Sequence, residues 1–277
     1  MCCVGSQNCQ HATLKASLHV GGQIRGVACL DNTVGKMYAI CENSNTVSVF
    51  HAIPPYEQLR GIHVSGLSGP TDIVACTTNN LLYVSDLISG CVWQVTAGGK
   101  VDHRLPTWSP TRRKTSAVCP VSLSVRFGRL TVVETSRISI YDSHDDKVDE
   151  IVFPVSATLH HGTETGHHSY MVALSDKSHS TIQEVGRDGI PVREWNLRSF
   201  SASVQPLYMA WDVSGFLCVV VRGSHKVLVL SDELREVRSV RLKKRSMPRR
   251  LSFLAQGSKP LLVVGAGNTM NIYDSTH

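Results

Sequence analysis

One short apolar run recurs six times along the chain, and nothing else in the sequence constrains the fold as tightly. The copies are Met37-Tyr-Ala-Ile40, Leu82-Tyr-Val-Ser85, Leu130-Thr-Val-Val133, Tyr170-Met-Val-Ala173, Leu217-Cys-Val-Val220 and Leu261-Leu-Val-Val264. Their starts lie 45, 48, 40, 47 and 44 residues apart. A repeat of about 45 residues accommodates four strands and their turns, which is one propeller blade.

The flanking segments fit that unit. A second strand starts 7 to 11 residues after the start of each run, as in Thr46-Val-Ser-Val-Phe50 and Lys226-Val-Leu-Val-Leu230. The connecting turns are polar or glycine-rich, such as Arg222-Gly-Ser-His225 and Gly265-Ala-Gly-Asn268, which is hairpin chemistry. An earlier strand precedes each run, and four of the six follow a proline: Pro70, Pro120, Pro206 and Pro248. Proline is tolerated there because a strand's first residue needs no ladder donor. These first strands, expected at 24–30, 71–76, 121–126, 155–161, 207–212 and 249–254, should line the central channel.

A fourth strand follows five of the repeats, but the sixth stops at Tyr273. The β-compatible stretch Ala12–Val20 supplies what is missing. The expected fold is therefore an all-β, six-bladed propeller whose N-terminal strand closes the last blade. Closure removes open edges that would invite aggregation. The expected blades span 21–64, 65–105, 115–153, 154–196, 202–242, and 246–277 completed by 12–20, with 1–11 disordered. No window has helical period and caps.

Composition agrees. Of 277 residues, 42% are hydrophobic and 18% charged, low for a helical surface and ordinary for short half-buried strands. The chain is long enough to bury a core without disulfides or metal. Nine cysteines, an odd number, fall mostly in apolar runs (Cys29, Cys41, Cys76, Cys91, Cys218), the pattern of free thiols in a reducing, cytoplasmic setting. No run of about 20 apolar residues predicts a membrane span.

Leu81-Leu-Tyr-Val-Ser-Asp86, then Val92-Trp-Gln-Val95 and Gly98-Gly-Lys100, resembles an NHL repeat. Phe216-Leu-Cys-Val-Val220 with Lys226-Val-Leu-Val-Leu-Ser-Asp232 resembles it too, as do Glu184-Val-Gly-Arg-Asp-Gly189 and Asn268-Thr-Met-Asn-Ile-Tyr-Asp274. The resemblance covers almost the whole chain and is close to the C-terminal propellers of tripartite-motif-type proteins. It implies a six-bladed disc. The third and fourth repeats lack the Tyr-Val-x-Asp signature, and the chain has no RING or B-box array, so ligase activity is not implied. The resemblance also leads to enzymatic propellers. Gluconolactonase-like relatives need several acidic ligands on the channel strands, where this chain offers Asp72 and Asp212 beside Arg25, Arg126, Arg249 and Arg250. The amidating-lyase type uses histidine zinc ligands, and His63, His160 and His161 are not obviously spaced for that.

Other candidate sites are clusters. His160, His161, His167 and His168 are dense enough to consider for zinc or copper, although the run reads better as a polar loop. Asp86 and Asp176 are expected to cap their own turns. No P-loop, Gly-x-Ser-x-Gly or dinucleotide fingerprint is present, so no cofactor is expected. The formal charge of +6 is uneven. Arg112, Arg113 and Lys114 fall in one blade-entry loop, and Lys243, Lys244, Arg245, Arg249 and Arg250 in and after another, with Trp108 and Phe200 in corresponding loops. This basic face predicts a non-catalytic, monomeric scaffold that recognises a protein or peptide. The alternative is single-stranded RNA on the same face. A metal-dependent hydrolase or lyase ranks behind both.

Overall fold

The computed structural model describes residues 9–31, 35–99, 101–106, 119–142, 144, 146–154, 156–166, 168–176, 179–196, 206–242, 247–255 and 260–274. Within them are 25 strands and no helix, so no helix is long and apolar enough to cross a membrane.

Two strands come first, β1 (Cys9–His11) and β2 (Leu14–His19). Blade 1 is β3 (Ile24–Leu30), β4 (Lys36–Cys41), β5 (Thr46–His51) and β6 (Gln58–His63). Blade 2 is β7 (Pro70–Cys76), β8 (Leu81–Asp86), β9 (Cys91–Thr96) and β10 (Val101–Pro106). Blade 3 is β11 (Ser122–Arg126), β12 (Arg129–Val133), β13 (Arg137–Tyr141) and β14 (Lys147–Val152). Blade 4 is β15 (Thr158–Glu164), β16 (Tyr170–Ser175), β17 (Ser180–Val185) and β18 (Pro191–Asn196). Blade 5 is β19 (Pro206–Trp211), β20 (Leu217–Val221), β21 (Lys226–Leu230) and β22 (Glu236–Arg241). Blade 6 is β23 (Pro248–Leu254), β24 (Leu261–Ala266) and β25 (Thr269–Asp274), completed by β2.

The innermost strands β3, β7, β11, β15, β19 and β23 each contact the next, and β23 returns to β3, so the ring is closed. The hydrophobic core is divided in the same way. Six buried clusters occupy the six seams between neighbouring blades. Ile40, Ile73 and Leu82 fill the seam between blades 1 and 2. Ile24, Leu254 and Met270 fill the seam where blade 6 meets blade 1. Each such side chain contributes about 1.5–3 kcal/mol by leaving water. Gly26 sets how near blades 1 and 2 come, because a Cβ there would lie 2.7 Å from the Ile73 backbone nitrogen.

The closure is the expected one. β2 pairs antiparallel with β25, from Leu14 opposite Tyr273 to His19 opposite Thr269. The strand alternates, and Leu14, Ala16 and Leu18 turn inward onto the two seams flanking blade 6. Two details differ from the sequence reading. Residues 1–11 were expected to be disordered, yet Cys9–His11 pairs in parallel with β22, so the N-terminal segment also edges blade 5. The fourth channel strand starts at Thr158 rather than 155, because Ala157 first closes a turn by donating to the Pro154 carbonyl at 2.9 Å.

Deleting residues 1–20 should expose the edge of β25 and strip cover from two seams. The expected loss is about 3–5 kcal/mol, or about 10 °C in melting temperature for a chain of this size, with aggregation by light scattering. A truncated chain that stays monomeric and melts unchanged would show that the ring is held some other way.

Candidate functional site

The channel strands share a local irregularity. Register shifts occur between Ile24 and Gly26, Pro70 and Asp72, Leu159 and His161, Pro206 and Tyr208, and Pro248 and Arg250. Each leaves one extra residue near the start of its strand: Arg25, Thr71, His160, Leu207 and Arg249. Bulges of this kind re-aim side chains and bend the strand. Here they recur at one end of the channel and deliver a layer of residues just beyond it.

That layer is a closed circuit of interactions. Asp72, fully buried, pairs with Arg250, whose Nε lies 3.3 Å from Oδ1. Its carboxylate also accepts the N–H groups of Ile73 at 3.0 Å and Leu123 at 2.9 Å. The Leu123 carbonyl lies 3.2 Å from His161 Nε2. The His161 ring packs on Tyr208 with centroids 4.1 Å apart. The Arg250 guanidinium stands 5.1 Å from the Tyr208 ring centre and donates to the Thr71 carbonyl at 3.2 Å. The circuit thus runs through blades 2, 3, 4, 5 and 6. Burial raises the Asp72 pKa, while Arg250 and the two N–H groups pull it the other way. Burial, with Arg250 adding to it, pushes His161 down to about 3, so the ring is neutral at physiological pH.

The layer lies between two cavities. On the side where the channel strands begin is a space of about 480 Å³ bordered by Arg25, Arg222, Met247, Arg249 and Arg250. Arg25 is ion-paired with Glu42. The Gln23 amide, oriented by its partners, donates to Glu42 at 2.8 Å and accepts from Arg249 at 2.9 and 3.0 Å. His160 sits at the same end of the channel, its Nε2 2.8 Å from Ser175 Oγ. Burial and then Arg222 hold its pKa below the ordinary value. The second cavity, about 310 Å³, opens where the channel strands end.

Of the residues singled out from sequence, those among the described residues are dispersed. Arg249 reaches the 480 Å³ cavity. Arg250 borders it as well, but its charge is committed to Asp72 inside the channel, so it is not a free cation of the face. Trp108, Arg112, Arg113, Lys114, His167, Phe200, Lys243, Lys244 and Arg245 lie outside the described residues. The remaining histidines do not converge. His160 and His161 lie near the start of β15, whereas His168 is exposed in the turn beyond its end, 3.4 Å from Arg187. The bulge and pleat also separate His160 from its neighbour. Asp212 accepts from Ser214 and Phe216 at 2.9 and 2.8 Å, so it caps a turn. Asp86 does the same more fully, accepting the N–H groups of Ser68, Gly69, Ile88 and Ser89 and the Trp93 indole. Burial alone would raise the Asp86 pKa, but these bonds outweigh it and hold the group below its ordinary value.

Sequence reasoning missed the roles of Tyr208, Leu123, Gln23 and Glu42. A signal for the layer was present. Asp72, Tyr208 and Arg250 each stand two residues after a strand-opening proline.

No protein-family model matches the chain, and no curated protein matches it. Its structure is similar to that of a selenomethionine-substituted virginiamycin B lyase from Staphylococcus aureus, with a TM-score of 0.66 and 10% identity. The match covers 96% of this chain and 100% of that one. At such identity the likeness shows the fold, and the six-bladed propeller stands on it and on the strand order. It also corrects the expectation of a non-catalytic scaffold for a protein or peptide. The neighbour is an enzyme, so the propeller gives no ground for a purely binding role, and nothing in the comparisons supports one.

His161 makes acid sensitivity testable. In the unfolded chain its imidazole takes a proton near pH 6.5, whereas the folded ring resists until about pH 3. Folding stability should therefore fall as pH drops through 6.5. For one such group the loss is about 2 kcal/mol between pH 7 and pH 5. Denaturant titrations across that range should show His161→Gln losing less than the parent by about this amount. Parallel pH profiles would mean that the ring titrates normally in the fold.

Proposed function

We propose that the chain is an enzyme acting on a small anionic molecule at the arginine-lined end of its channel, with His160 as the proton-accepting group. The observation that carries this reading is the convergence of Arg25, Arg222 and Arg249 around a 480 Å³ cavity, with Arg25 paired to Glu42. Guanidinium groups recognise carboxylate and phosphate oxygens through paired N–H donors. The cavity floor is the Asp72–Arg250 layer, which is internally neutralised and closes the channel behind the ligand.

His160 is suited to proton transfer in this setting. Burial and the nearby Arg222 favour its neutral form, and Ser175 holds one ring nitrogen, leaving Nδ1 for exchange. Removing a proton beside a carboxylate builds negative charge on the substrate. Fixed guanidiniums stabilise that charge without reorganising. The lyase on a similar fold supports an eliminative reaction in kind. The NHL-like Tyr-Val-Ser-Asp signature of blade 2 plays no part in this chemistry, because Asp86 is consumed in turn capping.

Calorimetric titration with phosphate, malate and citrate tests the anion site. Arg222→Gln and Arg249→Gln should each weaken the best-bound anion about tenfold, equal to about 1.4 kcal/mol. With a bound carboxylate, His160→Gln should keep binding but lose exchange of the α-proton for solvent deuterium, read by NMR. Failure of all three anions to bind, or exchange that survives His160→Gln, would overturn the reading.

A further inference from the structure

The other end of the channel carries an arginine that forms no ion pair among the described residues, with the Glu164 carboxylate acting on it only at longer range. Arg126, the last residue of β11, is half-buried and borders the 310 Å³ cavity. Its guanidinium lies 4.3 Å from the Trp211 ring centre and 4.7 Å from that of Phe127. Nη1 donates to the Glu164 carbonyl at 2.8 Å, and the Trp211 indole donates to the same oxygen at 3.0 Å. Orientation of the group is therefore fixed by blades 4 and 5. The Glu164 carboxylate is already engaged by Arg129. Among the described residues, Arg126 Nε and Nη2 bond to no other group.

Phe127 adds a second irregularity. It is 61% exposed and has a φ of +52°, a backbone region that a bulky side chain rarely enters. With Gly128 at φ +72° it makes the two-residue turn from β11 to β12, a hairpin type that needs positive φ at both positions. The cavity beyond Arg126 is apolar along Val74, Ala75 and Leu251, with hydroxyls from Thr163 and Ser252, and its one bordering carboxylate among the described residues, Asp212, is taken up by the Ser214 and Phe216 N–H groups. Its size lies at the small end of ligand sites.

We infer that this end of the channel is a second ligand site, for a small monocarboxylate with a flat apolar body. Arg126 binds the carboxylate through its free N–H edge, and the body lies along the apolar channel wall below Tyr208. Arg126 and Trp211 also border a neighbouring cavity of about 180 Å³, so the pair forms the wall between the two spaces.

Isothermal titration of the full chain with benzoate tests the site, with acetate and benzyl alcohol as probes lacking the ring or the charge. Benzoate should bind, and each control should bind at least about tenfold more weakly. Arg126→Gln should weaken benzoate at least tenfold. Ala75→Leu should do the same by filling the cavity, and it decides the matter if Arg126→Gln does not fold. Arg222→Gln and Arg249→Gln should leave benzoate binding unchanged, which separates this site from the one proposed above. No benzoate binding up to about 10 mM, equal binding of all three probes, or loss through Arg222→Gln in place of Arg126→Gln would overturn the inference.

Discussion

The buried pair of Asp72 and Arg250 is the interaction on which the rest of the channel depends. A carboxylate taken fully out of water is tolerated only when it is paired and hydrogen-bonded. Here the partners come from blades 2, 3 and 6, because Asp72 is held by its own strand, by the Leu123 amide and by the Arg250 guanidinium. Arg250 in turn lies against Tyr208, Tyr208 against His161, and His161 reaches back to Leu123. One polar layer therefore ties five blades at a single level, and it separates the two cavities.

Outside that layer the molecule is modular. Each seam between blades has its own apolar cluster, so most stabilisation is exchanged between neighbours, as in other repeat architectures. A ring built this way needs two things that a seam cannot supply: a closure and a fixed centre. β2 provides the closure by completing blade 6, and β1 extends the same segment onto blade 5. The polar circuit provides the centre. The repeated bulges connect the two levels of organisation, because on β7, β15, β19 and β23 they set which residue enters the layer and which remains near the arginine-rich end.

The fold was legible because propeller repeats write themselves into local sequence. The apolar runs, polar hairpins and strand-opening prolines each follow from contacts within one blade. Closure by Ala12–Val20 was legible by bookkeeping, since one blade lacked a strand. Three-residue β1 was not, because Cys9–His11 carries no strand pattern of its own and is held by the ready edge of β22. The site was read less well. Arg250 looked like one more cation in a basic loop, and its partner is 178 residues away. Adjacent His160 and His161 read as a cluster, yet the bulge between Leu159 and His161 puts one near Ser175 and the other against Tyr208. Only the spacing of Asp72, Tyr208 and Arg250 from their prolines carried the layer in the sequence, and that spacing acquires meaning only once the blades are arranged in a ring.

The most direct measurement is a double-mutant cycle on the central pair, with Asp72→Asn, Arg250→Met and both together, followed by chemical denaturation. Each single change should cost about 3–5 kcal/mol, because it strands a buried group. The double variant should recover about 2 kcal/mol or more relative to their sum. Costs that add to within about 0.5 kcal/mol would contradict the account, since Asp72 and Arg250 would then be stabilising the ring independently.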